Sequence, residues 1–219
     1  MSDSRRRYVA IGINLLVFVL EVWAIWLGIL KHGIAGNFVY YTECSNLLGG
    51  VACLACAIAE IRQLQSEKPI GKGLRILKYL SSCCLMMTLM VVVCILTPML
   101  ESAGYPGVYM MFLDGAKPVT HLGAPLLVTV SYALFEHGHT MTLKEGLIGI
   151  VPTLIYAAVA YPCNIAELWD GPYPFLQVLD MPVWVSVLWF IALLLFAFAL
   201  CQIPRVLGNA VIKHKKMQS

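Results

Sequence analysis

The sequence predicts an all-α integral membrane protein, a bundle of six transmembrane helices that forms a single domain over residues 1–219. Hydrophobic residues make up 60% of the chain and charged residues only 12%, and the mean hydropathy is +0.80. Soluble domains carry roughly 25% charged residues. The apolar residues are also grouped into stretches of the length that crosses hydrocarbon about 30 Å thick, which requires about 20 helical residues.

Each predicted helix is an apolar stretch bounded by charged or turn-forming residues. Pro118 favours a helix start, because its missing N–H would have no partner in the first turn. The fifth stretch is the shortest. In chain order, the predicted helices cover residues 8–30, 38–61, 76–99, 118–135, 147–162 and 182–203.

The basic residues predict the orientation of the bundle. Of the 15 lysines and arginines, only Lys31 and Lys117 fall in loops on one side. The positive-inside rule then puts both termini in the cytoplasm. The net charge of +3 follows from this topology, so we expect no nucleic-acid partner, and the short tails suit a bacterial plasma (inner) membrane. The residues assigned to the cytoplasmic side are Arg5, Arg6, Arg7, Arg62, Lys68, Lys72, Arg75, Lys78, Lys144, Arg205, Lys213, Lys215 and Lys216.

The eight cysteines do not predict a metal centre. Cys53 and Cys56 have the spacing of half a zinc site, but they lie inside the second helix and no second pair matches them. Most of the others also lie within helices, where cysteine acts as a small apolar residue. We therefore expect neither a metal nor another cofactor.

Polar and small residues are organised along one face of the second helix. Thr42, Ser45, Asn46, Gly49, Cys53, Cys56 and Glu60 recur at helical spacing. Small and polar residues commonly pack helices together in membranes, which explains the deeper part of this stripe. Thr42, Ser45 and Asn46 differ, because three hydrogen-bonding side chains crowd one turn near the water-accessible end. A functional site is predicted there.

The fourth helix contributes a histidine at a matching depth. His121 is the one histidine inside a predicted span, and an ionisable group in a span is a functional candidate. Pro125 cannot donate a hydrogen bond to the carbonyl of His121, so we expect the helix to be deformed there. At about 1.5 Å per residue, Thr42 and His121 both lie roughly 5–6 Å inside their helix starts. The two side chains could therefore meet as nucleophile and base.

Glu21 is a second intramembrane group, near the middle of the first helix. A buried carboxyl at this depth can serve as a hydrogen-bonding group in the polar part of a cavity. It lies about 8 Å deeper than Thr42 by helical rise. Direct participation in the same reaction is not expected.

These residues carry a resemblance to a known family. The segment from Tyr41 to Leu48, with His121 at the head of a later helix and Pro125 beyond it, resembles the androgen-induced and androgen-dependent membrane hydrolases. The chain looks like a bacterial-type relative, and the resemblance covers the whole six-helix layout. A weaker match is Tyr173-Pro174-Phe175-Leu176, although Gln177 stands where an acidic residue is expected in relatives.

The resemblance implies an intramembrane threonine hydrolase that cleaves a lipid ester, such as a fatty acid ester of a hydroxy fatty acid. Carried over by position, Thr42 is the nucleophile and His121 the base. A threonine hydroxyl needs such a base, and the protonated base can then protonate the leaving alcohol. Asn46 is the expected oxyanion donor, with Ser45 as a second or supporting group. The expected partners are the bilayer and an amphiphilic ester.

Other functions fit the same residues. A small transporter could use Glu21, Asn14 and the polar stripe as a pathway, and a lipid-binding or sensor protein would need no chemistry. Within the enzyme class, Cys44 could act as the nucleophile of an acyltransferase, but it points about 200° around the helix from Thr42.

Overall fold

The computed structural model describes residues 3–66 and 69–218, and it confirms the all-α prediction with six helices long and apolar enough to cross a membrane. Lys68, which was assigned above to the cytoplasmic side, lies outside the described residues. A short helix, Gly107–Phe112, lies between the third and fourth of these helices. The six helices are α1 (Asp3–Asn37), α2 (Tyr41–Ser66), α3 (Lys72–Ser102), α4 (Pro118–Glu136), α5 (Leu143–Ile165) and α6 (Val183–Gln218).

All six extend beyond their predicted apolar stretches or match them closely, and local chemistry explains two of the boundaries. Helix α5 begins earlier than predicted because Thr142 and Glu145 form a capping box, in which each side chain bonds to the other residue's backbone N–H. Helix α1 breaks near its end at Gly33, where φ is 69°. A side chain would be strained at this φ, so the break occurs at a residue without one.

Helices α2, α3 and α4 form the interior of the bundle. In these helices 50–56% of the most apolar window is buried, compared with 17–22% in α1, α5 and α6. Helix α3 packs against α2, α4 and α6, so it occupies the centre. The whole predicted stripe of α2, from Thr42 to Glu60, is buried, which confirms that this face turns inward.

The two ends of the bundle differ in what they carry. At the end that we call the loop end, α1, α3 and α5 finish and α2, α4 and α6 begin. Residues 103–117 and 166–182 form its two long connections. At the opposite end, which we call the terminal end, α1 begins and α6 finishes. The positions of Thr42 and His121 near helix starts therefore place both residues at the loop end.

Lys78 corrects one assignment made from the sequence. It was counted with a cytoplasmic loop, but it lies within α3 and is fully buried. Its Nζ donates to Asn14 Oδ1 at 2.5 Å and to Cys53 Sγ at 2.8 Å. Asn14 Nδ2 in turn donates to Glu136 Oε1 at 2.8 Å. The ammonium is tolerated inside the bundle because hydrogen bonds link it to a buried carboxylate.

Candidate active site

A cavity of about 750 Å³, which we call the polar chamber, lies at the loop end. Helices α1 to α4 and both long connections line it, and Thr42 and His121 are both part of its wall. Lys31 and His32 are exposed at its edge, whereas Thr42 and His121 are 8% and 7% exposed. The fold thus brings the two predicted catalytic residues to one cavity that opens toward the outside of the bundle.

Thr42 is the second residue of α2, so its backbone N–H has no acceptor within the helix. This N–H donates to the hydroxyl of Tyr173 at 3.3 Å, and Thr42 Oγ1 lies 3.4 Å from the same hydroxyl. Both distances exceed the ordinary ranges of about 2.7–3.2 Å for N–H donors and about 2.5–3.0 Å for O–H donors. The hydroxyl of Thr42 is therefore held loosely and can exchange its partner.

Ser45 and Asn46 support the backbone of Thr42. Ser45 Oγ donates to the Thr42 carbonyl at 2.8 Å and lies 2.8 Å from Thr88 Oγ1, whose proton it can accept. Asn46 Nδ2 donates to the same carbonyl at 2.9 Å and more weakly to the Thr120 carbonyl at 3.4 Å. Because the amide N–H groups of Asn46 already bond to carbonyls, the structure favours Asn46 as a positioning residue over Asn46 as the oxyanion donor.

His121 is oriented by the connection that precedes its helix. Its Nδ1 lies 2.6 Å from the carbonyl of Met111, in the short helix Gly107–Phe112. A carbonyl can only accept, so Nδ1 carries the hydrogen and Nε2 of the neutral ring keeps its lone pair. The residues Pro118–Gly123 around it form a π-helical turn, which confirms the predicted deformation before Pro125. The ring is thus held in the tautomer that can accept a proton at Nε2.

Thr42 and His121 are not hydrogen-bonded to each other in this structure. Catalytic hydrogen bonds often close only when substrate is bound, so the absence of this bond does not exclude the pair. Glu43 lines the same chamber and accepts a hydrogen bond from Asn37 Nδ2 at 3.4 Å. The chamber also holds an ion pair between Lys117 and Asp114 at 3.5 Å.

Tyr173 is the site residue to which sequence reasoning assigned no role. The only signal for it was the short motif Tyr173-Pro174-Phe175-Leu176 in the last long connection. Its ring stacks on Phe175 at 5.2 Å and meets Tyr40 edge-on at 6.2 Å. Burial raises the pKa of Tyr173 to about 12, so its hydroxyl keeps its proton at neutral pH and can donate.

The connection that carries Tyr173 is fixed to the end of α5. Asn164 Oδ1 accepts from the backbone N–H of Val178 at 2.9 Å, and Trp169 Nε1 donates to the Ala160 carbonyl at 3.3 Å. Gly171 is buried, and a Cβ there would come within 2.5 Å of the backbone of Leu176. Close approach of the chain at this glycine lets the connection fold back over the helix ends, which places Tyr173 above Thr42.

A second, apolar cavity of about 60 Å³, which we call the apolar slot, meets the polar chamber at Thr42. Thr42, Leu96 and Tyr173 line both cavities. The rest of the slot comes from α2, α3, α5 and α6, with residues such as Met87, Val91 and Leu194. Thr42 therefore stands at the boundary between a polar compartment and an apolar one.

Glu21 lies below the polar chamber rather than in its lining. Helix α1 reaches the chamber through Ala24, Leu27 and Gly28, which are nearer the loop end. Glu21 is 1% exposed and lies against Gly50, where a Cβ would meet the Cβ of Glu21 at 3.2 Å. Neither carboxyl oxygen has a hydrogen-bond partner among the described residues. The structure thus separates Glu21 from the two residues of the candidate site.

Comparison of the chain with protein-family models, with curated proteins and with solved structures finds no match. The geometry of the chamber, of Thr42 and of His121 is therefore the basis for any assignment of function.

Proposed function

We propose that the chain is an intramembrane lipid ester hydrolase, a bacterial-type relative of the androgen-induced and androgen-dependent hydrolases, with Thr42 as nucleophile and His121 as base. One observation carries this proposal. Two residues on different helices, chosen from the sequence as nucleophile and base, line the same cavity, and an apolar slot begins at the nucleophile. An ester with a polar and an apolar part would place its carbonyl at this boundary.

The first half of the reaction forms an acyl-enzyme. Thr42 Oγ1 attacks the ester carbonyl carbon as His121 Nε2 takes the hydroxyl proton, and the carbonyl oxygen becomes an oxyanion. The backbone N–H of Thr42 and the hydroxyl of Tyr173 bond to each other at only 3.3 Å, and both would turn to the oxyanion at this point. Free N–H groups in the first turn of α2 add a favourable dipole. The intermediate then expels the alcohol, which takes the proton from His121.

The second half returns the enzyme to its starting state. Water from the polar chamber attacks the acyl-threonine carbonyl as His121 takes one of its protons. Collapse of the second intermediate releases the fatty acid and returns the proton to Thr42 Oγ1. Ser45 and Asn46 hold the backbone of Thr42 through both steps.

Orientation and compartment also belong to this proposal. We infer that the terminal end faces the cytoplasm and that the polar chamber opens on the other side of a bacterial plasma membrane. The basic residues Arg6 and Arg7 at the start of α1 and Lys213 near the end of α6 support this orientation. The substrate would then come from the bilayer leaflet nearest the chamber.

The experiment that tests the hydrolase is labelling of purified protein with a lipid-like fluorophosphonate, with mass spectrometry to locate the adduct. We expect an adduct on Thr42 that disappears in His121→Ala, and loss of ester hydrolysis in both Thr42→Ala and His121→Ala. Cys44→Ala is the matched control, since its side chain points away from the chamber and bonds to the Phe38 carbonyl. An adduct on Cys44, or full activity in folded Thr42→Ala, would refute the assignment.

Transport remains a second candidate because of a specific observation, the fully buried chain of hydrogen bonds Lys78–Asn14–Glu136 at the terminal end. Ionisable groups inside a bundle frequently mark proton or ion pathways. Under this alternative, proteoliposomes would show a pH-driven flux that Glu136→Gln abolishes and Thr42→Ala leaves unchanged.

A further inference from the structure

A third cavity of about 830 Å³, which we call the lateral groove, lies between α5 and α6. Leu154, Val183 and Val187 line it and are 41%, 79% and 50% exposed, so in a membrane the groove faces the hydrocarbon. Its lining contains no charged side chain. A groove of this composition matches the alkyl chain of a lipid and no polar ligand.

The lateral groove lies next to the apolar slot. Ala157, Tyr161 and Phe190 line both cavities. Because the slot also shares Thr42 and Tyr173 with the polar chamber, the slot lies between the groove and the chamber, with shared walls on both sides. The lining is apolar up to Thr42 and polar beyond it.

Two aromatic rings stand in the wall that the groove and the slot share, which we call the junction. Tyr161 and Phe190 meet edge-on, with centroids 5.6 Å apart and an interplanar angle of 87°. The Tyr161 hydroxyl is buried without a hydrogen-bond partner among the described residues. The Ser186 hydroxyl, in the wall of the groove, is likewise unpaired, and Ser186 is 8% exposed. No hydrogen bond of the Tyr161 hydroxyl therefore holds this pair of rings closed.

We propose that the lateral groove and the apolar slot form the binding site for one unbranched acyl chain, which enters from the bilayer between α5 and α6 and passes the Tyr161–Phe190 pair. This inference rests on the proposed function, since it supplies the acyl half of the ester that Thr42 would attack. The alcohol half of the ester lies in the polar chamber. The carbonyl of the ester stops beside Thr42, where the apolar lining ends.

The charges of the polar chamber agree with this placement. Lys31 stands at the edge of the chamber without a hydrogen bond or ion pair to any described residue. Lys117, in contrast, is paired with Asp114. An uncharged acyl chain gains no electrostatic interaction in the polar chamber. The acyl half of the ester therefore lies on the apolar side of Thr42 and the alcohol half lies in the chamber.

Ala157→Trp tests the path, because the indole would fill the junction between groove and slot. Ala192→Trp is the matched control, since Ala192 is exposed on α6 and lines none of the three cavities. In nanodiscs, with p-nitrophenyl palmitate and p-nitrophenyl acetate as substrates, we expect Ala157→Trp to lose about 10-fold or more in kcat/KM for palmitate. Acetate, which needs no acyl path, should change by less than about 2-fold. Ala192→Trp should match the wild type on both.

Phe190→Ala provides the opposite perturbation if Ala157→Trp fails to fold. It removes one ring of the junction, so the ratio of kcat/KM for a branched-chain ester to that for p-nitrophenyl palmitate should rise. Equal effects of Ala157→Trp on palmitate and acetate, or no change in the branched-chain ratio in Phe190→Ala, would overturn the proposed path.

Photocrosslinking separates failure of this path from failure of the proposed function. The probe is a non-hydrolysable ether lipid with a diazirine in the middle of a stearyl chain. We expect adducts on the α5 and α6 residues of the groove and slot, and loss of the slot adducts in Ala157→Trp but not in Ala192→Trp. If wild-type protein hydrolyses neither ester but shows this pattern, the hydrolase is wrong and the acyl site stands. If labelling is spread evenly over all lipid-facing helices, the acyl site is wrong whatever the activity.

Discussion

Replacing Tyr173 by Phe removes one hydroxyl and keeps the ring, so it isolates the contribution of that hydroxyl to catalysis. The stack on Phe175 and the edge contact with Tyr40 do not involve the hydroxyl and should persist. What is lost is a partner 3.3 Å from the Thr42 N–H and 3.4 Å from Thr42 Oγ1. The free energy of unfolding should fall by about 1 kcal/mol, the usual net value of one hydrogen bond.

The expected kinetic effect is larger than the effect on stability. Loss of one oxyanion donor costs about 10²–10³ in kcat. The long distances at Tyr173 predict the lower part of that range, about 10- to 100-fold, or roughly 1.4–2.7 kcal/mol of transition-state stabilisation. KM should change little, because the bond strengthens as negative charge develops on the carbonyl oxygen.

The assay is ester hydrolysis in detergent or nanodiscs, with a melting curve for each variant. Tyr79→Phe is the matched control, since the Tyr79 hydroxyl lies 2.9 Å from both the Gly146 and the Cys201 carbonyl, away from the chamber, and can donate its one hydrogen to either. It should lose stability without losing kcat. Unchanged kcat in folded Tyr173→Phe, or an equal loss of kcat in Tyr79→Phe, would refute the role of Tyr173 in the reaction.

The pH dependence of this residue has a definite sign. The pKa of Tyr173 in the folded protein is raised to about 12, above the value near 10 of an unfolded tyrosine. The hydroxyl therefore contributes its full stability below pH 10, and this contribution is lost as the pH rises toward 12. The difference in stability between wild type and Tyr173→Phe should shrink over that interval.

Four further perturbations have expected outcomes. Lys78→Met leaves Glu136 buried without its countercharge and should lower the free energy of unfolding by about 3–5 kcal/mol. The double variant that also carries Glu136→Gln should recover part of this loss. If thermal unfolding shows that the losses of the two single variants simply add in the double variant, this prediction is wrong. Glu21→Gln preserves shape and should change stability by less than about 1 kcal/mol and leave turnover intact, while a lost ion flux in proteoliposomes would favour transport. Asn46→Ala removes a support of the nucleophile's carbonyl and should lower kcat about 10-fold, so wild-type kcat would argue against positioning. Burial lowers the pKa of His137 below the value of about 6.5 in the unfolded chain. The contribution of His137 to stability is therefore present above about pH 6.5 and is lost as the pH falls. A melting temperature that does not change between about pH 5 and pH 7 would contradict this prediction.

Parts of the candidate site were predictable because their signals are local in sequence. The stripe from Thr42 to Glu60 follows from helical spacing alone, and the structure confirms that it is buried. The distortion at His121 follows from Pro125, since a missing N–H affects a carbonyl four residues earlier wherever the helix packs. The depth of His121 was predicted correctly, because its helix begins at Pro118 as expected. The predicted depth of Thr42 was wrong, because α2 begins at Tyr41 rather than at Phe38.

Other parts depend on contacts between distant segments. Tyr173 acts on Thr42 because the last connection folds over the start of α2, and its short aromatic motif gave no indication of which residue it would meet. Asn46 was predicted as a donor to an oxyanion, and its actual bonds go to the carbonyls of Thr42 and Thr120. The division of the space beside Thr42 into a polar chamber and an apolar slot likewise involves all six helices.

The sequence by itself determined that this is a membrane protein of six helices. The length of each apolar stretch and the spacing of its polar residues can be read from that segment alone, and the bilayer requires each segment to satisfy its own backbone hydrogen bonds. Only the tertiary structure decided which polar groups meet. Lys78 shows the reason: its charge indicated a loop, yet Asn14, Cys53 and Glu136 from three other segments satisfy it inside the bundle. The free energy of a buried polar group depends on partners that are remote in sequence, so its position is settled only when the helices pack.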